Sequence, residues 1–282
     1  MKALVITRLT FLEAVRRRIA MAAFVLGILF LLVYAIGLHF IHKETMAETA
    51  RQGSDLIRNQ IYNFLTIAGF YAVNFLTIAM GVLISADTLA GEISSGTIHT
   101  IASKPLRRIE IVFGKWFGFA LLLAIYVTLM AGGVLIIVYA VSNYSVRNIL
   151  PGVLLMYMAS LVVMTVSLAC SSVFSTLATG GIVFGLYGIG FIGGWVEQIG
   201  SLLKNQTAIH VGILSSFIIP SEAIWKRAAY EMTSEVMRSL GTSAPGPFVA
   251  VSVPNPLMMA YSGLYILAMF LVAVRQFSKR DL

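Results

Sequence analysis

Six apolar runs constrain this chain more than any other feature. They fall at about 19–40, 61–86, 109–141, 149–174, 178–196 and 257–274. A helix needs about 20 apolar residues to cross the hydrocarbon core of a bilayer, so each run is a candidate span. The fold class this implies is all-α: a polytopic membrane protein with six transmembrane helices. Composition agrees, since 59% of the 282 residues are hydrophobic, 11% are charged and the mean hydropathy is +0.89, outside the range of a soluble domain. Six spans and their loops use up the length, leaving one membrane domain over residues 1–282.

The segments between the spans fill in the layout. Before the first span, residues 1–18 place Val5, Leu9, Leu12 and Ile19 at helical spacing among Arg8, Arg16, Arg17 and Arg18. That pattern predicts a basic amphipathic helix at the membrane interface. Basic residues ahead of an apolar run also suggest a signal peptide, but the run is too long and lacks a small-residue cleavage site. Residues 42–60 are polar without proline, so spans one and two extend toward each other as a helical hairpin beyond the lipid. Residues 197–256 mix amphipathic pieces with prolines, which predicts an extracytoplasmic helical region before the last span, an ordered cap of short helices.

Charge sets the orientation. The formal net charge of +8 does not point to nucleic acid, because the bases flank apolar runs instead of clustering with aromatic residues. Twelve bases lie on the side that holds the N-terminal helix, the loop between spans two and three and the tail with Arg275, Lys279 and Arg280. The remaining eight lie on the other side, nearly balanced by acids. The positive-inside rule places both termini in the cytoplasm of a multi-pass protein of the cell membrane, bacterial or archaeal.

Enzyme chemistry leaves no mark. There is no HExxH zinc motif, no nucleophile elbow and no Gly-x-x-x-x-Gly-Lys-Ser/Thr phosphate loop, so ATP hydrolysis is not expected of this chain alone. Cys170 is the single cysteine and sits in an apolar run, which excludes an intrachain disulfide and argues for packing. His39 and His42 share a helix face at the outer end of span one, but with no third ligand nearby they read as interfacial histidines. No catalytic, cofactor or metal residue is expected. Asn63, Tyr71, Asn74, Ser167, Ser171 and Ser172 are the sparse polar groups within spans, and no run of carboxylates accompanies them. An ion-driven carrier needs ionisable groups at mid-membrane, so the energy is expected to come from elsewhere.

Two features remain. Gly181 with Gly185, and Gly190 with Gly194, place small residues four apart in span five. Such faces let helices approach closely, either within one subunit or between two. In the loop between spans two and three, Ile98, Ile101 and Ala102 share one face of a short helix that Gly96 starts and Pro105 stops. That helix is too short to span and amphipathic enough to dock. Arg107, Arg108 and Lys115 would anchor it at lipid headgroups, and Glu92 would pair with a base or with a partner.

The loop resembles the signature region of the type 2 (ABC-2) exporter permeases. It has Glu92, then Gly96 and Thr97, then Lys104 and Pro105 with Arg107 and Arg108, then Gly114 and Lys115. The order of surface helix, six spans and an external region before span six is similar too. A segment beginning at Pro220 and running through Glu222, Trp225 and Lys226 is similar to one that precedes the last span in members of the family, copper-linked and sodium-linked systems among them. The resemblance implies a permease subunit of an ABC transporter, an exporter, paired with a second permease copy as a homodimer or with a related permease. Spans one and five would meet, with Gly181, Gly185, Gly190 and Gly194 at the interface. A cytoplasmic ABC ATPase subunit would bind ATP and Mg and would couple through Glu92, Gly96, Thr97, Ile98, Ile101, Pro105, Arg107 and Arg108 in the 87–108 loop. The same motif would serve an alternative, a non-transporting anchor or mechanotransducing subunit of an ATPase-driven envelope complex. Residues 197–256 would then suit an extracytoplasmic partner.

Overall fold

The computed structural model describes residues 2–52, 55–94, 108–233 and 252–279, all helix and connecting turn. In chain order the helices are α1 (Lys2–Arg16), α2 (Arg18–Gln52), α3 (Asp55–Ser94), α4 (Arg108–Ser142), α5 (Ile149–Ser171), α6 (Thr176–Leu202), α7 (Gln206–Ile218), α8 (Ser221–Met232) and α9 (Pro256–Lys279). Six of them, α2 to α6 and α9, are long and apolar enough to cross a membrane, matching the six expected runs. One end of the bundle carries α1, the end of α3, the start of α4 and the end of α9. It is called the terminal end below, and the opposite end the far end.

Helix length exceeds what a bilayer needs. At about 1.5 Å per residue, the 40 residues of α3 reach roughly 60 Å, twice the hydrocarbon thickness. The surplus carries both helices past their apolar runs at the far end, α2 to Gln52 and α3 from Asp55. There the Tyr62 hydroxyl lies 2.7 Å from His42 Nδ1, and the Tyr144 hydroxyl donates to Asn63 Oδ1 at 3.1 Å. Burial pushes the Tyr144 hydroxyl above its ordinary pKa, so it remains a donor. His42 is thus held by an aromatic partner and acts in packing.

The centre of the bundle is α3 and α5. In each, 61% of the most apolar stretch is buried, against 33% in α6 and 11% in α2 and α9. The main core joins Ile67, Phe70 and Val73 of α3 to Leu122, Tyr126 and Met130 of α4 and to Met156 and Met164 of α5. A second joins Ile78 and Val82 to Val162, Val166, Val183 and Tyr187. Aromatic donors stitch the spans through neighbouring backbone carbonyls. Tyr34 donates to Leu65, Tyr126 to Ala23 and Tyr157 to Ala120, at 3.1, 3.2 and 2.9 Å. Hydroxyls inside an apolar bundle must find such partners, because lipid supplies none.

α1 meets the expectation of an amphipathic helix and adds a contact. Leu4, Val5, Leu9 and Leu12 are exposed, while Thr10 and Ala14 are buried. The close approach is possible because a Cβ at Gly118 of α4 would strike Thr10.

Residues 197–256 contain the expected short helices, but α8 is not a lid. α7 folds back along α6, and α8 leaves it at 108°. The break lies where it must: Ile219 is extended (φ −146°, ψ 111°) ahead of Pro220, and proline forbids the preceding residue a helical conformation. The carbonyls orphaned at the end of α7 are taken by α9, with Tyr261 donating to Phe217 O at 2.6 Å and Tyr265 to Ile218 O at 2.8 Å. α8 then sinks into the bundle, with Ile224, Trp225, Ala228, Ala229 and Met232 all buried.

Candidate coupling and transport sites

At the terminal end, Glu92 falls in the last turn of α3, and its side chain lies outside the described residues. Gly96, Thr97, Ile98, Ile101, Pro105 and Arg107 lie outside them as well. What the structure describes is how the two edges of that loop are tied. On the α3 side, Asp87 Oδ2 accepts from Arg17 Nη1 at 3.1 Å and Oδ1 from the Thr176 hydroxyl at 3.0 Å. Arg17 sits at the single-residue break between α1 and α2 and also pairs with Glu13 at 2.7 Å. One carboxylate thus gathers α1, α2, α3 and the first residue of α6, whose helix N-terminus favours a negative charge. On the α4 side, Arg108 Nη1 donates to the carbonyls of Phe277 and Ser278 at 3.3 and 2.8 Å, closing the last turn of α9. Arg108 therefore grips a helix end in addition to any headgroup. Lys115 departs from the expectation of a headgroup anchor: it is 3% exposed, because seven residues of helix beyond Arg108 carry it into the bundle.

The far half holds a second cluster that sequence reasoning did not find. Lys226 of α8 donates to Glu197 Oε2 of α6 at 2.8 Å, and the two side chains are 3% and 7% exposed. Ser252 donates to the other oxygen, Oε1, at 2.6 Å. One turn before Lys226, Glu222 is 4% exposed. Its Oε1 faces the Tyr71 hydroxyl at 3.4 Å, while its Oε2 has no hydrogen-bond partner among the described residues. Trp195 Nε1 in turn donates to Tyr71 at 3.1 Å. Among the described residues the cluster holds two carboxyl groups and one ammonium, and burial pushes the Glu222 carboxyl up to about 7. Its depth follows from the helices. Tyr71 is 16 residues along α3 from Asp87, roughly 24 Å at 1.5 Å per residue, so the charges lie toward the far boundary of the bundle and not at its middle.

The sequence was silent here for a physical reason. Glu197 follows the last apolar residue of span five, and Glu222 and Lys226 belong to a segment whose composition is that of a surface helix. The pattern that marks the site is Glu222 and Lys226 four apart after a helix-starting proline, inside a segment already singled out by resemblance. Of the polar groups expected within spans, two are spent on their own helix and the others reach across or stand alone: Asn63 accepts from Tyr144, and Asn74 Oδ1 has no partner among the described residues. Ser171 bonds the carbonyl of Leu168, and Ser172 that of Ala169; Ser167 crosses to Val82 O at 3.2 Å.

The glycines of α6 divide into two groups. A Cβ at Gly190 would meet Ile219, one at Gly193 would meet Ser215, and one at Gly194 would meet Glu222. These three glycines admit the α7–α8 turn. Gly181 and Gly185, closer to the terminal end, have nothing within 4 Å and face outward.

Beside the charge cluster a groove of about 470 Å³ opens between α7 and α9, with Glu197 and Ser252 among polar lining groups and Phe217, Met258 and Tyr261 among apolar ones. Among the described residues no group of three or more His, Cys, Asp or Glu side chains is placed to hold a metal ion.

Six membrane-spanning helices, a buried charge cluster beside a lateral groove and a loop tied at both edges to other helices define an all-α polytopic membrane protein. The chain belongs to a family of transporters: the model of the ABC-2 family transporter protein matches residues 4–282, all but the first three residues. It is thus a multi-pass membrane protein of the ABC-2 transporter family, the permease class of ABC transporter subunit. No match was found among curated proteins.

Proposed function

We propose that this chain is the permease half of an ABC exporter. A separate cytoplasmic ATPase binds ATP and Mg and drives the permease through the 87–108 loop. Both termini face the cytoplasm, so the terminal end is the motor-facing one, as the bias of basic residues supports. The observation that carries the coupling role is the pair of ties at the loop's edges. Asp87 joins the loop's entry to α1, α2 and α6, and Arg108 joins its exit to the end of α9. A push on residues 92–103 therefore reaches four other helices within one side chain's length, without passing through lipid.

Two copies form the translocating unit. α2 and α6, like α9, keep largely unburied faces, including Leu29, Leu32, Val33 and Ile36 on α2 and Ile182 and Ile189 on α6. The outward Gly181 and Gly185 let a second α6 approach closely.

Affinity purification of the chain in mild detergent, with mass spectrometry and an ATPase assay on what accompanies it, tests the reading. A stoichiometric ATP-binding subunit with active turnover is expected. A folded chain that never brings one with it rejects the permease assignment. Turnover that no transported compound ever stimulates favours the anchor or mechanotransducing role.

A further inference from the structure

α1 is seated on α4 by one face only. On that face Thr10 and Ala14 are buried, and Gly118 of α4 leaves room for Thr10. On the other, Arg8, Leu12 and Arg16 follow one another at four-residue spacing, which stacks them along the helix. Leu4, Val5, Leu9 and Val15 flank that row. All of these apolar side chains are exposed, Leu4 at 73% and Leu9 at 61%, and so are both arginines. The level of the helix is set by α2, whose apolar run begins at Ile19, directly after Arg18. The break at Arg17 therefore falls where hydrocarbon gives way to headgroups. α1 has 15 residues, about 22 Å at 1.5 Å per residue, too few to cross.

Three arginines meet at the break, and they are not equivalent. Arg17 is shared between Glu13 and Asp87. Arg16 and Arg18 are exposed and, like Arg8, enter no ion pair among the described residues. Zwitterionic lipid would cover the leucines and leave these guanidinium groups without a net counter-charge, while an acidic soluble surface would do the reverse. We propose that α1 binds anionic phospholipid, with its leucines and valines at the acyl boundary and Arg8, Arg16 and Arg18 on the headgroup phosphates. Binding also has a mechanical result. Headgroups held at Arg16 and Arg18 fix the break on both sides, and Arg17 passes that constraint to Asp87 at the entry to the 87–108 loop. The lipid site stands apart from the permease reading; its effect on ATP turnover rests on that reading.

The experiment uses the full chain in nanodiscs of phosphatidylcholine and phosphatidylglycerol, with a fluorophore on Leu4→Cys in a Cys170→Ala background. Quenching by brominated phosphatidylglycerol is compared with quenching by brominated phosphatidylcholine. A preference for the anionic lipid that falls as salt is raised is expected. Arg8→Gln with Arg16→Gln should lower that preference by roughly fivefold or more, and the matching pair of lysine substitutions should keep it. Arg275→Gln with Lys279→Gln, which removes bases of α9 at the same end, should leave it unchanged. Equal quenching by the two lipids overturns the site, as does a preference that survives in the Arg8 and Arg16 glutamine variant. In the complex with the ATPase, turnover should be lower in phosphatidylcholine alone, and the glutamine variant should lose that difference. Turnover indifferent to lipid, with the preference intact, overturns the transmission through Arg17. A glutamine variant that loses the ATPase, together with a wild type that shows no lipid preference, gives the face to the motor and overturns the lipid site. A chain with no ATPase partner at all rejects the permease reading, and the quenching comparison still decides the site.

Discussion

Lys226 and Glu197 form the one ion pair among the described residues in which both side chains are less than a tenth exposed. Its two members are unequal in what their loss would do. Lys226→Met removes the ammonium that pairs with Glu197 and leaves that carboxylate buried, so it should cost about 3–5 kcal/mol. The double change Lys226→Met with Glu197→Gln removes both members of the pair and should recover most of that loss. Size-exclusion recovery after heating, compared across the cycle, measures the coupling; additive losses would mean the pair is not buried as described. Asp87 is the opposite case. It is 41% exposed and its pairing with Arg17 is solvent-screened, so Asp87→Asn should change stability by less than about 1 kcal/mol. Its expected effect is on transmission: ATP turnover in the complex should persist while its dependence on transported compound falls. Unaltered coupling in Asp87→Asn would remove that residue from the route.

At the scale of elements, α6 shows one helix serving two purposes with the same residue type. Gly190 and Gly194 are closed against Ile219 and Glu222, whereas Gly181 and Gly185 stay open. Leucine at Gly194 must displace Glu222 and should reduce the folded yield of the isolated permease. Leucine at Gly185 meets nothing in the chain and should leave that yield alone while weakening pairing of two copies. Cross-linking and light scattering of the detergent-solubilised protein separate the outcomes, and a Gly185→Leu protein that pairs normally would assign α6 no interface role. The α7–α8 unit shows how a polar helix comes to be buried. α8 on its own has too many charges for the interior, but Tyr261 and Tyr265 fix the end of α7, Pro220 sets the turn, and the glycines of α6 make the space. Remote residues on α6 and α9, not the sequence of α8, decide where it goes.

At the scale of the whole molecule, burial is uneven between helices. α2 and α9 bury about a tenth of their apolar stretches and α6 a third, while α3 and α5 at the centre bury 61% each. Lipid can cover such faces, and so can a second permease. Glu92→Ala, or a glycine pair that breaks residues 96–103, should leave insertion and folding intact, because those positions fall outside the apolar runs of the sequence. Uncoupled ATP turnover in the assembled complex is the expected readout, and full coupling in both would remove the loop from its assigned role.

Sequence alone determined the number of spans, the helical extension of spans one and two beyond their apolar runs, the amphipathic start and the family, because each rests on local hydropathy or on contiguous motif residues. Lipid makes that information unusually direct: a run of 20 apolar residues has few other places to go. The fate of residues 197–256 was not legible in the same way. Their composition describes short surface helices, and only the tertiary structure shows α8 buried with Glu197, Glu222 and Lys226 together. Glu197 is 25 and 29 positions from the other two, across two turns, and a polar residue is tolerated in an interior only through partners it meets after folding. Gly181 and Gly190 likewise look alike in sequence, and their different roles are set by whether another helix happens to lie opposite.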